Sequence, residues 1–271
     1  MLWPWEWQQR DGAGPVAAER PWFESAFDAG YLSVYPHRDL PSARQEVQGL
    51  VERGVRGRVL DLGCGFGRHS LALREQRLDV FGLDLSGDLL GHAAAFEREQ
   101  FEAGNLEFGI RLGGRLVRGD FRGLPFQDRS FDCVLMLFSS FGYFDDHTNA
   151  AVLAEIQRIL KPGGILVLDL MNAERIRASL VPESLTERGG QTLHELRQLL
   201  EGGKRVRKDV RLSAPGQPDR TWHEDVRLFD PPELKLLLAT HGLQLERIEG
   251  DFDGRAAGPE AARHLVWASR I

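Results

Sequence analysis

An apolar run that stops at three alternating glycines is the feature that most restricts this chain. Residues 59–67 read VLDLGCGFG, with an acid at Asp61 followed by Gly63, Gly65 and Gly67. Glycine at such places lets backbone approach a ligand where any Cβ would collide. The helical spacing of Leu71, Ala72 and Leu73 then aims a helix N-terminus at the same spot. The spacing is G-x-G-x-G, not the G-x-G-x-x-G of a dinucleotide loop. No lysine follows it, which excludes a phosphate-cradling P-loop.

Around this loop, short apolar runs alternate with amphipathic stretches, the texture of β-α units about a parallel sheet. The first strand covers 58–62. A second at 80–83 ends at Asp84, and Ser86 is placed to cap a helix carrying Leu89, Leu90, Ala93 and Ala94. A third at 117–119 ends at Asp120, and a fourth covers 131–138. Asp145 or Asp146 opens a helix through Val152, Ile156 and Ile159, which Lys161, Pro162, Gly163 and Gly164 stop before a fifth strand at 165–170. From about residue 174 the texture changes. Segments 192–200, 205–213 and 221–229, separated by Gly-Gly and Pro-Gly signals, read as antiparallel strands. A helix opened by Pro231 and closed at Gly242, then strands at 243–248 and 265–269, resume the first pattern.

An acid ending the second strand lies beside the glycine loop and can accept both hydroxyls of a ribose, a logic that nicotinamide enzymes share. A carboxylate at Asp120 can accept the exocyclic amine of adenine, with Phe121 packed on the ring. The incidental reading is a tight turn with surface acids.

Taken together, residues 59–67, Asp84, the GDF of 119–121 with LPF at 124–126, FDCV at 131–134 and LKPGG at 160–164 resemble class I S-adenosylmethionine-dependent methyltransferases. The resemblance covers about 58–271. It implies an α/β fold with a doubly wound, seven-stranded, mostly parallel sheet of order 3-2-1-4-5-7-6, the last strand antiparallel. An inserted antiparallel β subdomain would follow strand 5. The implied division is 1–57 as an N-terminal arm and cap helices, 58–173 as the cofactor-binding core, 174–229 as the insertion and 230–271 as completion of the core sheet. Gly63, Cys64 and Gly65 would meet the methionyl part of S-adenosylmethionine through backbone, and Asp84 its ribose. Leu85, Asp120 and Phe121 would hold the adenine, with Leu137 and Phe138 flanking the sulfonium. Trp22, Phe23, Tyr31, Tyr35, His37 and Arg38, with SSFGYF at 139–144, further resemble small-molecule N-methyltransferases such as those acting on amino sugars. That likeness implies that Tyr31 and Arg38 meet the methionine carboxylate. S-adenosylhomocysteine would be the spent cofactor.

Methyl transfer from a sulfonium is an in-line displacement needing positioning, exclusion of water and a deprotonated acceptor. Tyr143, His147 and His223 are the candidate bases, with Asp145, Asp251 and Asp253 on neighbouring loops; His69 receives no role. Residues 138–141 read FSSF, not the Asn-Pro-Pro-Tyr of adenine- and glutamine-type enzymes. The likeness to amino-sugar enzymes implies methylation of a small-molecule acceptor, at nitrogen more than at oxygen or carbon.

Two rival readings stand beside it, the first an enzyme whose acceptor is an RNA base or a protein side chain. Arg205, Arg207 and Arg211 fall on one face of a strand, a stripe that could contact RNA phosphates or instead protect an edge strand by charge. The net charge of −6 favours the latter and speaks against nucleic acid. The other rival is a cofactor-binding partner subunit without an acceptor cavity. The inserted strands offer edges for a homodimer, and Trp3, Trp5, Trp7 and Trp22 form an arm that would dock on the body or a partner.

Composition excludes other classes. At 271 residues with 42% hydrophobic and 27% charged positions, the chain can bury a core without disulfide staples. Its two cysteines, Cys64 and Cys133, lack a histidine at metal-ligand spacing, so reduced thiols and no metal are expected. No apolar run approaches a membrane span. The opening MLWPWEWQQRDG lacks a signal peptide's regions, and a cytoplasmic location is the expectation.

Overall fold

The structure is a computed structural model that describes residues 21–27, 34, 39–107 and 109–271. Tyr31 and Arg38, with Trp3, Trp5 and Trp7, lie outside the described residues. Strands β1 (Arg58–Leu62), β2 (Asp79–Asp84), β3 (Leu116–Arg118), β4 (Phe131–Met136), β5 (Leu160–Met171), β10 (Leu243–Glu249) and β11 (Arg263–Arg270) form one sheet. Its order is β3-β2-β1-β4-β5-β11-β10. The five leading strands run parallel, and β11 pairs antiparallel with both β5 and β10. This is the expected 3-2-1-4-5-7-6 order once the strands of the second sheet are set aside.

Alternation along each strand divides the core between two faces. Leu60 and Leu62 of β1, with Val134 and Met136 of β4, meet Val152, Leu153 and Ile156 of the helix at Asp146–Ile159 (α5). Leu234 and Leu238 of the helix at Pro231–Thr240 (α7) complete that layer. Val59, Cys133 and Leu135 point the other way. They pack on Val47 and Leu50 of a helix at Leu40–Glu52 (α2) and on Leu71 and Leu73 of one at Arg68–Glu75 (α3). Helix α2 starts where the Asp39 carboxylate accepts the Ser42 N–H at 2.9 Å and lies tightly on the loop after β10. A methyl added at Gly49 would land on the Phe252 carbonyl. Gly49→Ala should therefore lower the melting temperature by several degrees. The helix gains about 1 kcal/mol from alanine, whereas overpacking against backbone costs up to ~3 kcal/mol. A thermal melt followed by circular dichroism measures the balance.

Three sequence expectations are corrected here. The KPGG segment does not separate helix from strand. β5 begins at Leu160, paired with Phe131, and the extra residues bulge out before Ile165 pairs with Cys133. Lys161 Nζ fastens the bulge by donating to Asp132 at 2.7 Å. β4 ends at Met136, because Phe138 and Ser139 both take φ of 57° and leave the pleat.

The third correction concerns the antiparallel sheet, which has four strands: β6 (Glu183–Arg188), β7 (Gln191–Leu200), β8 (Arg205–Ser213) and β9 (Arg220–Arg227), in that order. The arginine-bearing β8 is thus an inner strand, not an edge. Its outward stripe is largely neutralised. Arg205 pairs with Asp225 at 2.6 Å and Arg207 with Asp209 at 2.8 Å. The inner face carries Val206, Val210, Trp222 and Val226, packed on Trp22 and Ala26 of a short helix at Trp22–Ala26 (α1).

Candidate active site

Helix N-termini and the carboxyl ends of the parallel strands meet at one rim of the large sheet, where ligands bind in open α/β folds. Gly63, with φ of 85°, turns the chain out of β1. Its N–H and that of Cys64 both donate to the Leu83 carbonyl, at 2.8 and 3.1 Å. A Cβ at Gly63 would stand 3.1 Å from Ser140 Cβ and 3.2 Å from the Phe121 ring. Bare backbone therefore forms the floor of the cleft. Gly67 caps α3 in the left-handed region.

The glycine loop is tied to the end of β2. Asp84 Oδ2 accepts the Gly65 N–H at 2.8 Å, and Oδ1 accepts the Ser86 N–H at 2.8 Å. Burial pushes the Asp84 carboxyl above its ordinary range despite these two bonds. Ser86 caps a helix at Gly87–Glu102 (α4) by accepting the Leu89 N–H, and its hydroxyl donates to the Phe27 carbonyl at 2.6 Å. One serine thereby links the cofactor loop to the segment after α1.

The resulting cleft encloses about 700 Å³, including its solvent-open part. Gly63, Gly65, Asp84, Leu85, Asp120, Phe121, Leu137 and Phe138 line it, joined by Phe23, Phe27, Tyr143 and Phe144. The Cys64 side chain faces Gly82 instead, and burial raises its thiol pKa. Asp120 is held by Arg122, whose Nη2 donates to Oδ2 at 2.6 Å, and that contact keeps the carboxyl below the usual range. The Arg122 guanidinium lies 5.3 Å from the Phe144 ring centre.

A second cleft of about 750 Å³, again counting its open part, adjoins the first. The two share Phe27, Phe138 and Tyr143 as walls. Trp22, Asp169, Glu224 and Arg263 are further walls of the second. Asp169 is a residue that sequence reasoning missed. It is 2% exposed, and burial raises its pKa. Its Oδ2 accepts the Phe138 N–H at 2.9 Å and an Arg263 N–H at 2.7 Å, while its carbonyl accepts the Ser139 N–H. The left-handed turn at 138–139 is thus held by a single buried aspartate. Its one signal was an acid inside the apolar run ILVLDL.

The remaining candidates fall elsewhere. His147 is exposed in the first turn of α5. Asp145 is consumed as that helix's cap, accepting the Thr148 N–H at 2.7 Å. His223 lies 6.4 Å from the Trp22 ring, outside both linings. Asp251 pairs with Arg263 at 3.2 Å, and Asp253 with Arg255 at 2.5 Å. Of the proposed bases, Tyr143 alone lines the clefts. His69, given no role from sequence, bonds Glu46 at 2.7 Å together with Arg68 at 3.0 Å. That cluster fixes α2 to the first turn of α3. Burial works against the Glu46 charge, but His69 and Arg68 hold the carboxyl below the usual range.

The first cleft sorts cofactors by charge. Two carboxylates and no lysine, arginine or histidine line it among the described residues. Phosphate groups would find no cationic partner there, whereas a nucleoside bearing a positive charge finds hydroxyl acceptors, aromatic faces and opposite charge. An open α/β fold with bare glycine backbone, acids and aromatic faces at its strand rim suits a nucleoside ligand. Residues 59–164 match the family model described as "Methyltransferase domain". The chain is 28% identical over 203 residues to the dTDP-3-amino-3,4,6-trideoxy-alpha-D-glucopyranose N,N-dimethyltransferase of Streptomyces venezuelae, covering 73% of this chain and 79% of that one. It is 29% identical over 215 residues to the cypemycin N-terminal methyltransferase of a Streptomyces species, covering 78% and 82%. S-adenosylmethionine-bound CalS10, an amino pentose methyltransferase from Micromonospora echinaspora, shares the fold with a TM-score of 0.62 at 23% identity, over 89% of this chain and 96% of that one. The chain is an S-adenosylmethionine-dependent methyltransferase. Among the described residues no helix is long and apolar enough to cross a membrane.

Proposed function

We propose that the chain methylates a small molecule at nitrogen, with the donor in the first cleft and the acceptor in the second. The observation that carries this is the shared wall. Phe27, Phe138 and Tyr143 border both clefts, so the two are immediate neighbours at these side chains. Nitrogen is favoured over oxygen because Glu224 lines the second cleft together with the Trp22, Phe27 and Tyr143 rings, while Asp169 and Arg263 pair with each other. The two curated relatives, an amino-sugar N,N-dimethyltransferase and a peptide N-terminal methyltransferase by name, support the same element.

S-adenosylmethionine supplies a methyl group on a positively charged sulfur. Asp84 would hold the ribose hydroxyls with the oxygen lone pairs that Gly65 and Ser86 leave open. Leu85, Phe121 and Asp120 would enclose the adenine, and the Gly63–Gly65 backbone would take the methionyl part. The 138–139 turn, fixed by Asp169, keeps the Phe138 ring at the junction and excludes water from it. Tyr143 is the polar group placed to orient the acceptor and pass on its proton.

The test is calorimetric titration with S-adenosylmethionine and S-adenosylhomocysteine, followed by turnover on paired amines and alcohols. Micromolar binding of both, with methylated amines as products, is expected. Failure to bind either removes the proposal, and methylated alcohols alone remove its nitrogen element.

The RNA reading is opposed by the neutralised stripe on β8. Arg205 also donates to the Phe144 carbonyl at 2.9 Å and so belongs to the scaffold. Arg207→Ala with Arg211→Ala should leave turnover on a small amine unchanged. A salt-dependent loss of RNA affinity in that double variant would reverse the assignment. A homodimer, if the chain forms one, would extend the four-stranded sheet along β6, where Leu185 is exposed. Sedimentation giving only the monomer mass removes that element.

A further inference from the structure

Glu224 lines the second cleft from the four-stranded sheet. It projects from β9 on the inner face of the four-stranded sheet, opposite Lys208 of β8 in the strand register. Lys208 Nζ lies 2.9 Å from Glu224 Oε2 and 3.8 Å from Glu195 Oε1 of β7. Glu195 in turn accepts from Arg197 at 2.5 Å and from the Ser184 hydroxyl at 3.1 Å. Charges therefore alternate across three strands, Arg197, Glu195, Lys208, Glu224, and Glu224, whose Oε1 also accepts the Trp222 Nε1–H at 3.5 Å, lines the second cleft. All four side chains are largely buried, 12–23% exposed. Such a row is held rigid, because each charge would be costly to strand without its neighbour.

The same cleft carries an aromatic wall. Ring centres lie 4.8 Å apart for Trp22 and Tyr143, 5.9 Å for Trp22 and Phe27, and 5.8 Å for Phe27 and Tyr143, with Phe138 lining the same cleft. Aromatic faces attract ammonium groups through the ring quadrupole, and a fixed carboxylate in the same cleft selects charge as well as shape. We infer that Glu224, held in place by Lys208, is the residue that selects a cationic ammonium as the acceptor's reactive end. The inference rests on the reading of the second cleft as the acceptor site.

Choline and its uncharged carbon isostere 3,3-dimethylbutan-1-ol are the probes, titrated by ligand-observed NMR into protein saturated with S-adenosylhomocysteine. Choline should bind at least tenfold more tightly than the alcohol. Glu224→Gln should bring that ratio close to one while leaving S-adenosylhomocysteine affinity unchanged. Lys208→Met should raise the ratio, because it removes the cation that competes for the same carboxylate. Equal binding of the two probes to the natural chain overturns the inference. So does an unchanged ratio in Glu224→Gln with an unchanged melting temperature. If Glu224→Gln fails to fold, the ratio in Lys208→Met and in the natural chain decides. If S-adenosylhomocysteine itself does not bind, the donor assignment fails, and the probe ratio on the protein alone still reports on Glu224.

Discussion

Asp84→Ala should weaken S-adenosylhomocysteine binding about a hundredfold or more while leaving the far-ultraviolet circular dichroism spectrum intact. Two contributions add. Hydrogen bonds to a charged acceptor are worth ~1.5–3 kcal/mol each, and a ribose would offer two hydroxyls. The same carboxylate holds the Gly65 and Ser86 N–H groups at 2.8 Å, so its loss also loosens the glycine loop. Calorimetric titration reads the affinity directly. Binding that survives unchanged would sink the ribose assignment. The pH dependence has a definite sign. Burial raises this carboxyl above the ordinary aspartate range, and protonation removes an acceptor. Affinity should therefore be complete near neutrality and decline as pH falls, from a point above that set by a solvated aspartate.

Asp169→Ala should cost stability and turnover together. Removing one member of a buried ion pair costs ~3–5 kcal/mol because the other charge is stranded. Asp251 beside Arg263 holds the expected loss to the lower part of that range. The Phe138 N–H also loses its acceptor, and residues 138 and 139 lose the clamp on their left-handed turn. A melting temperature lowered by roughly 6–12 °C and turnover reduced at least tenfold at saturating donor are expected. Asp169→Asn, which can still accept the Phe138 N–H, should recover part of the turnover. If Asp169→Ala melts normally and turns over normally, the turn is held by other means.

The parallel part of the sheet was readable because its signals are local. Each strand is a short apolar run, the glycines sit where φ is positive, and Ser86 and Asp145 are placed as caps. Gly63, Gly65, Asp84, Leu85, Asp120, Phe121, Leu137 and Phe138 stand around one cleft because they sit where parallel strands end at one rim, whereas the Cys64 side chain turns to Gly82 and Tyr31 and Arg38 lie outside the described residues. β6 was hidden, since ESLTER carries no apolar alternation; the strand exists through its ladder to β7. The acceptor side was hidden for a different reason. Trp22, Asp169, Glu224 and Arg263 come from four separate elements, and only tertiary packing gives them a common cavity. β8 was misplaced as an edge because charge on a strand marks exposure to solvent, which an inner strand's outward face has as well.

The shared wall of the two clefts has a kinetic consequence. Ser86 fastens the Phe27 carbonyl at the donor cleft, and α1 packs along β9, which bears Glu224. If the donor and acceptor occupy the two clefts as proposed, the segment from Trp22 to Phe27 borders both of them. On that assignment, a displacement of this segment wide enough to admit an acceptor would also loosen the cover over the donor and gear the two exchanges to one movement.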